Sequence, residues 1–245
     1  MRIHNCTARF PVLSIGRRWG KTLYAAQEVF KRLTRKVGVY WWIAPNYDDA
    51  DYGWNVIDRD IPDSAKRKVY ETKPRTIYFK NGSVLKFRSG EYPRKLRGEK
   101  LAGVVFDESA NIKREVWESS IRPAIGDSEG WAIFIGTPLG KKNWFYELFQ
   151  HGLSDDPEWS DYKSFNLPTS DNPYFPKKEL EIIKSQMPSD TFRQEFLAEF
   201  LDDSGAVFRR IRDAVKGDFE EPDHERRDIQ WESILLSTLT IQCWQ

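Results

Sequence analysis

Between Ser14 and Ala26 the chain reads S-I-G-R-R-W-G-K-T-L-Y-A-A, an order of residue types suited to holding a polyphosphate. An apolar run, Phe10–Ile15, feeds Gly16 and Gly20, with Arg17, Arg18 and Trp19 between them. Glycines let a backbone wrap closely around an anion with its N–H groups inward. A helix beginning at the second glycine adds its positive dipole end to the same spot. Lys21 would reach the β- and γ-phosphates and the Thr22 hydroxyl would ligate Mg²⁺. The spacing departs from G-x-x-x-x-G-K-[ST], because Ile15 holds the first glycine's place and Gly16 comes one position later. A glycine-rich turn with a chance G-K-T is the plainer alternative. Its position between a buried strand and a helix favours the phosphate loop.

A second chemical signal is G-V-V-F-D-E-S-A, Gly103–Ala110. Two acids at the end of an apolar strand place Asp107 to hold the Mg²⁺ shell and Glu108 to polarise an attacking water as general base. An acid beside the metal aspartate turns nucleotide binding into hydrolysis. A third is I-F-I-G-T-P, Ile133–Pro138, where the hydroxyl of Thr137 could sense the γ-phosphate and pass its loss along the chain. An ordinary strand-ending turn explains that last motif equally well.

These groups need strands to hold them. Apolar runs predict buried strands at Phe10–Ile15, Val37–Ala44, Gly103–Phe106 and Trp131–Ile135, with a short one at Tyr162–Leu167. Arg75–Phe79 and Ser83–Arg88 flank K-N-G and predict a β-hairpin turning at Asn81-Gly82. Helical spacing covers Lys21–Lys36 (apolar at Leu23, Ala26, Val29, Phe30 and Leu33), Asp48–Asp60, Glu115–Ile125 with a bend at Pro123, and Asn143–His151. A further helical pair, Lys177–Gln186 and Asp190–Phe200, is split by Pro188. Strands alternating with helices, several apolar throughout, indicate an α/β fold with a mainly parallel sheet covered on both faces. Chemistry then belongs at the carboxyl ends of the strands, where all three motifs fall.

Composition narrows the partners. In 245 residues, 38 Lys and Arg balance 37 Asp and Glu, so any DNA contact must come from local basic clusters. Candidates are Lys66, Arg67, Lys68, Lys73 and Arg75, and Lys141 and Lys142 in L-G-K-K-N-W. For each of them a solvated basic face is an equal reading. Cys6 and Cys243 lack metal-ligand spacing and read as free thiols. No apolar run approaches the roughly 20 residues needed to span a membrane, so no membrane partner is expected.

Together these residues resemble the ATPase domain of the large terminase subunit, the DNA-packaging motor of tailed bacteriophages. The resemblance rests on G-R-R-W-G-K-T, I-A-P-N-Y-D-D-A (Ile43–Ala50), F-R-S-G-E-Y-P-R-K-L-R-G (Phe87–Gly98), V-V-F-D-E-S-A and G-T-P-L-G-K-K-N-W-F-Y (Gly136–Tyr146). It continues through F-R-Q-E-F-L-A-E-F-L-D-D-S-G-A-V-F (Phe192–Phe208), and the G-R-x-x-G-K-[ST] loop is that family's own variant. The resemblance implies a P-loop NTPase fold of the additional-strand catalytic-glutamate type with a small helical lid. It implies ATP and Mg²⁺ as ligands, Arg17 as an extra phosphate contact, and Gly136-Thr137-Pro138 as the motif coupling hydrolysis to movement. Arg97 falls where the family places an arginine reaching the neighbouring subunit's nucleotide, an arrangement that makes hydrolysis depend on assembly.

The implied setting is the host bacterial cytoplasm. There, double-stranded DNA would be moved by a homo-oligomeric ring on the procapsid portal, with the portal protein and the small terminase subunit as partners and a monomer when isolated. The expected organisation is an ATPase core over 1–168, a lid over 169–210, and a linker and tail over 211–245. The family's adenine-reading glutamine lies in a helix before the first strand. Here Met1–Phe10 precede that strand and no glutamine occurs before Gln27. After the polar stretch Lys216–Asp228, where the family's nuclease domain would open, Ile229–Gln245 shows neither clean alternation nor a capped helix. Read from the third base of each codon, the degenerate codons of Asp228–Gln245 permit a sequence opening Y-S-M-G-V-D-L-A, which resembles the first nuclease strand. Residues from about Asp228 are therefore expected to be out of frame and disordered, and no nuclease activity is expected. A helicase-type ATPase and a catalytically weak nucleotide- or partner-binding fragment are the competing readings.

Overall fold

The computed structural model describes residues 2–202. Cys243 and every expectation placed on residues 203–245, the whole linker and tail and the end of the lid included, lie outside them. Eight strands form one sheet: β1 (Phe10–Ile15), β2 (Val39–Ala44), β3 (Lys66–Tyr70), β4 (Thr76–Phe79), β5 (Val84–Ser89), β6 (Gly103–Phe106), β7 (Trp131–Gly136) and β8 (Tyr162–Leu167). Their spatial order is β3-β4-β5-β2-β6-β7-β1-β8. From β5 to β8 all neighbours are parallel, whereas β3–β4 and β4–β5 are antiparallel. β1 and β6 are buried at every position, which is why they read as unbroken apolar runs rather than alternating ones.

On one face lie α1 (Lys21–Arg35) and α2 (Tyr47–Asp60). α1 buries Tyr24, Ala25, Ala26, Val29 and Leu33 against the sheet. The sequence placed Leu23 on that face, but it is 42% exposed. Tyr24 and Ala25 take the core-facing turn instead, one position on. α2 starts at Asn46, whose side chain accepts the Asp49 amide, a direct N-cap. On the opposite face a π-helical turn (Val116–Ile121) runs into α3 (Arg122–Ala124), and α4 (Trp144–His151) follows, capped by Asn143 accepting from Phe145 N–H. The helix expected over Glu115–Ile125 is therefore present mostly as this wider turn, immediately before Pro123, which has no amide to donate. Phe10, Phe106, Trp117, Phe134 and Trp144 pack there edge-to-face and stacked.

α5 (Lys177–Gln186) and α6 (Ser189–Glu195) form a small cluster around Leu180, Phe192 and Phe196. The second helix was expected to reach Phe200 and stops at Glu195. Its continuation adopts φ 55° at Ala198, and its carbonyls turn to other partners. Phe196 C=O accepts from Thr169 N–H at 2.7 Å. Ala198 C=O accepts from Ser14 Oγ at 2.9 Å and Asn166 Nδ2 at 2.6 Å. Leu201 C=O accepts from Lys141 N–H. Residues 196–201 thus form a strap tied to β1, β8 and the turn after β7. Helix periodicity in the sequence gives no sign of this, because the competing donors come from distant residues.

Candidate functional site

The loop after β1 has the backbone its residue types suggest in part. Gly20 has φ 99° and Arg18 φ 60°, both left-handed, and Tyr24 N–H donating to Gly20 C=O at 3.0 Å opens α1. Gly16 serves a different purpose from the one its motif position suggests. A methyl there would lie 2.5 Å from Phe196 O and 2.6 Å from Thr169 Oγ1, so its role is close packing. Its amide donates to Leu167 C=O at 2.9 Å and that of Arg17 to Glu195 C=O at 2.7 Å. The amides left for an anion are those at the start of α1, which have no acceptor within the helix.

Across from this helix start, β6 ends in Asp107-Glu108. Glu108 takes a left-handed conformation, φ 51°, which turns its side chain out of the strand into an ion pair with Lys21 Nζ. Asp107 is 4% exposed and accepts the Glu108 amide at 3.1 Å. Burial, reinforced by the charge of Glu108, pushes its carboxyl up to about 7, while Lys21 pulls the other way. Ser109 Oγ donates to Phe106 and Ile135 carbonyls, locking the ends of β6 and β7 together. Gly136 permits that approach, since a methyl there would sit 3.1 Å from Ser109 N.

The strand ends enclose a cleft of about 250 Å³. Arg17, Lys21, Glu108, Thr137 and Pro138 all line it, so motifs from three separate strands converge. Thr22 is half-buried beside Lys21 on the first turn of α1, and Arg18 is exposed, its carbonyl accepting from Asn172 Nδ2. Trp19, within the loop, is buried at 9% exposure, and its Nε1 has no hydrogen-bond partner among the described residues. Arg97 follows the turn Pro93–Leu96, is exposed, and does not line the cleft.

Five cleft residues were not singled out in the sequence: Asp49, Asn111, Leu139, Gln194 and Glu195. Asp49 was findable, because it sits just beyond the carboxyl end of β2 beside its N-cap. Burial first, and then the charge of Glu108, raise its carboxyl above the usual range. Glu195 carried no local signal. It arrives from α6 and pairs with Arg17 at 2.5 Å.

The basic candidates separate into two groups. Lys66 is 8% exposed and pairs with Asp58 and Asp63. Lys73 pairs with Asp48, Arg75 with Asp51, and Lys141 with Asp202. Arg67 and Lys68 are exposed on β3, with Lys68 Nζ 4.3 Å from the Tyr70 ring centre, and Lys142 is exposed after β7. Among the described residues no helix is long and apolar enough to cross a membrane. Cys6 is a free thiol.

Residues 12–212 match the family described as terminase large subunit, T4likevirus-type, N-terminal. The large terminase subunit of Thermus virus P23-45 is 30% identical over 241 residues, which cover 85% of this chain and 49% of the relative. The large terminase subunit of Escherichia phage T5 is 29% identical over 204 residues, covering 82% and 46%. Among solved structures, the large terminase ATPase domain of Thermus phage P74-26 superposes with a TM-score of 0.68 at 29% identity, covering 82% of this chain and 92% of that one. The chain spans about half the length of the curated relatives it matches. With a mainly parallel sheet carrying a glycine-bearing loop before a G-K-T helix start, an acid pair and a G-T-P turn at strand ends, this chain belongs to the large terminase subunit family and corresponds to its N-terminal, P-loop NTPase part.

Proposed function

We propose that this chain is the Mg-ATP-hydrolysing motor domain of a viral genome-packaging terminase, which translocates double-stranded DNA into a procapsid. The observation carrying this reading is the convergence of Lys21, Glu108, Arg17 and Thr137 in one cleft at the carboxyl ends of β1, β6 and β7. The P74-26 relative, named as an ATPase domain, supports it.

Lys21 holds Glu108 in an ion pair. An incoming γ-phosphate competes for the lysine, and the freed carboxylate then takes a proton from the attacking water. Asp107 and the Thr22 hydroxyl supply oxygen donors of the kind Mg²⁺ accepts alongside phosphates and water, and a buried carboxyl raised by desolvation suits a cation neighbour. The metal would spread the charge of the transferring phosphoryl group. Arg17 leaves Glu195 to contact phosphate, so nucleotide arrival is felt in α6. Thr137 reports phosphate loss through the end of β7.

Residues 169–202 act as the described part of the lid, Arg97 acts on the nucleotide of a neighbouring subunit, and Arg67, Lys68 and Lys142 contact DNA phosphates without reading bases. The working assembly is a ring on the portal, together with the small terminase subunit, in the host cytoplasm. The paired state of Lys21 and Arg17 favours slow turnover by the isolated chain, as the weak-fragment reading also holds. Measuring nucleotide binding and hydrolysis separately tests the site. Lys21→Ala is expected to lose Mg-ATP affinity, and Glu108→Gln to keep affinity but lose turnover. Unchanged affinity in Lys21→Ala would contradict the phosphate assignment.

A further inference from the structure

Two buried tryptophans give their indole N–H to a fixed acceptor: Trp41 Nε1 donates to Glu99 Oε2 at 3.0 Å, and Trp144 Nε1 to Ile112 C=O at 2.7 Å. Trp42, next along β2, differs. It is 0% exposed, and its Nε1 has no acceptor within hydrogen-bond distance among the described residues. Buried indole N–H groups are normally paired, so this one calls for an explanation.

Its neighbours supply one. β2 and β6 run parallel with Trp42 beside Val105, and Asp107 N–H extends that ladder by donating to Ile43 C=O at 2.8 Å. Side chains alternate along a strand, so Trp42, Val105 and Asp107 share one face of the sheet. Trp42 and Val105 accordingly belong to the core cluster under α1 and α2, whereas Ile43 and Phe106 belong to the opposite one. α2 meets the indole at Gly53, where a methyl would lie 2.5 Å from Nε1 and 2.4 Å from Cε2. Glycine inside a helix is unfavourable compared with alanine. Here its missing side chain is what admits the N–H edge of the ring. Phe87 stacks on the same indole with ring centres 6.2 Å apart. Electrostatics point the same way. Burial, and then the charge of Glu108, raise the Asp107 carboxyl, whereas Lys21, the Glu108 amide and the Trp42 indole favour its ionised form.

We propose that Trp42 is a positioning residue, whose indole N–H holds the Asp107 carboxylate in the orientation that receives Mg²⁺, with Gly53 making room for it. The proposal rests on the reading of Asp107 as a metal carboxylate given above. A carboxylate ligand binds its metal more tightly when a hydrogen bond from the protein fixes its orientation.

The test is Mn²⁺ binding to the whole chain in the presence of ADP, followed by electron paramagnetic resonance. ADP binding in EDTA is measured beside it by calorimetry. Trp42→Phe keeps an aromatic ring against Phe87 and removes the N–H. A second variant carries 3-benzothienylalanine at position 42, which exchanges N–H for sulfur at nearly the same size and so separates the donor from the packing. Both are expected to lose at least about tenfold in Mn²⁺ affinity, the low end for losing a partner of a metal ligand. Both should bind ADP in EDTA as wild type does. Wild-type Mn²⁺ affinity in the benzothienylalanine protein, or an equal loss of metal-free ADP binding, would overturn the role of the N–H. Asp107→Asn separates this from the underlying reading, because it is expected to lose Mn²⁺ whatever Trp42 does. Asp107→Asn binding Mn²⁺ as tightly as wild type would overturn the metal assignment and the proposal with it.

Discussion

A methyl group on Gly16 would have to share space with two backbone groups, Phe196 O and Thr169 N, and with the Thr169 hydroxyl. Backbone cannot swing aside as a long side chain can, so Gly16→Ala is expected to cost about 1–3 kcal/mol through overpacking. The thermal midpoint should fall by roughly 2–4 °C per kcal/mol. A variant melting with the wild type would show that the strap over β1 is not tight. In the proposed role Glu108 bears on chemistry rather than folding. Replacing it by Gln keeps its size, so binding should persist while hydrolysis falls at least about a hundredfold, the scale of a lost general base. At this scale the placement of Lys21 and of the Asp107–Glu108 pair at neighbouring strand ends was legible in the sequence, because each lies in a contiguous motif with a fixed relation to its strand. Glu195 was not, since only the folded chain brings α6 to Arg17.

Among the elements, β6, β8 and α5 appear with the bounds their apolar patterns indicate, and β1 likewise. β3 was missed. Its K-R-K-V-Y reads as a basic stretch because an edge strand is polar on both sides, and lysines there keep the open edge from pairing with other chains. Lys66 in it serves as an ion-pair anchor to Asp58 at the end of α2. A basic stretch in a sequence does not distinguish a lysine held in such ion pairs from one left to meet a ligand, since the pairing carboxylates come from other elements. At the end of α4, His151 stacks on Trp159 with ring centres 3.6 Å apart, and its Nδ1 is buried without a partner among the described residues. Burial lowers its pKa below the usual 6.5; Arg114 adds to this, while Glu147 and Glu158 oppose it. A histidine held neutral in the fold takes up its proton more readily when unfolded. Its contribution to stability is therefore complete above about pH 6.5 and declines as pH falls toward its folded pKa. The urea midpoint should drop between pH 7.5 and 5.5, and His151→Phe should flatten that drop. A slope unchanged in the variant would assign the pH dependence to other groups.

For the molecule as a whole, Arg97 is exposed and outside the cleft of its own chain, as a residue serving a neighbour must be. Arg97→Ala subunits have an intact Glu108, and Glu108→Gln subunits have an intact Arg97. Mixing the two should restore part of the activity each lacks, because some interfaces then combine one working residue from each. Mixtures no more active than the separate variants, under conditions where wild type assembles, would contradict action in trans. Hydrolysis of ATP in the Lys21–Glu108 cleft is tested by steady-state Mg-ATP turnover of wild type and Glu108→Gln across a series of protein concentrations. The expected result is wild-type turnover per subunit that rises with concentration and a Glu108→Gln rate at least about a hundredfold lower throughout. Glu108→Gln turning over ATP at the wild-type rate would contradict it.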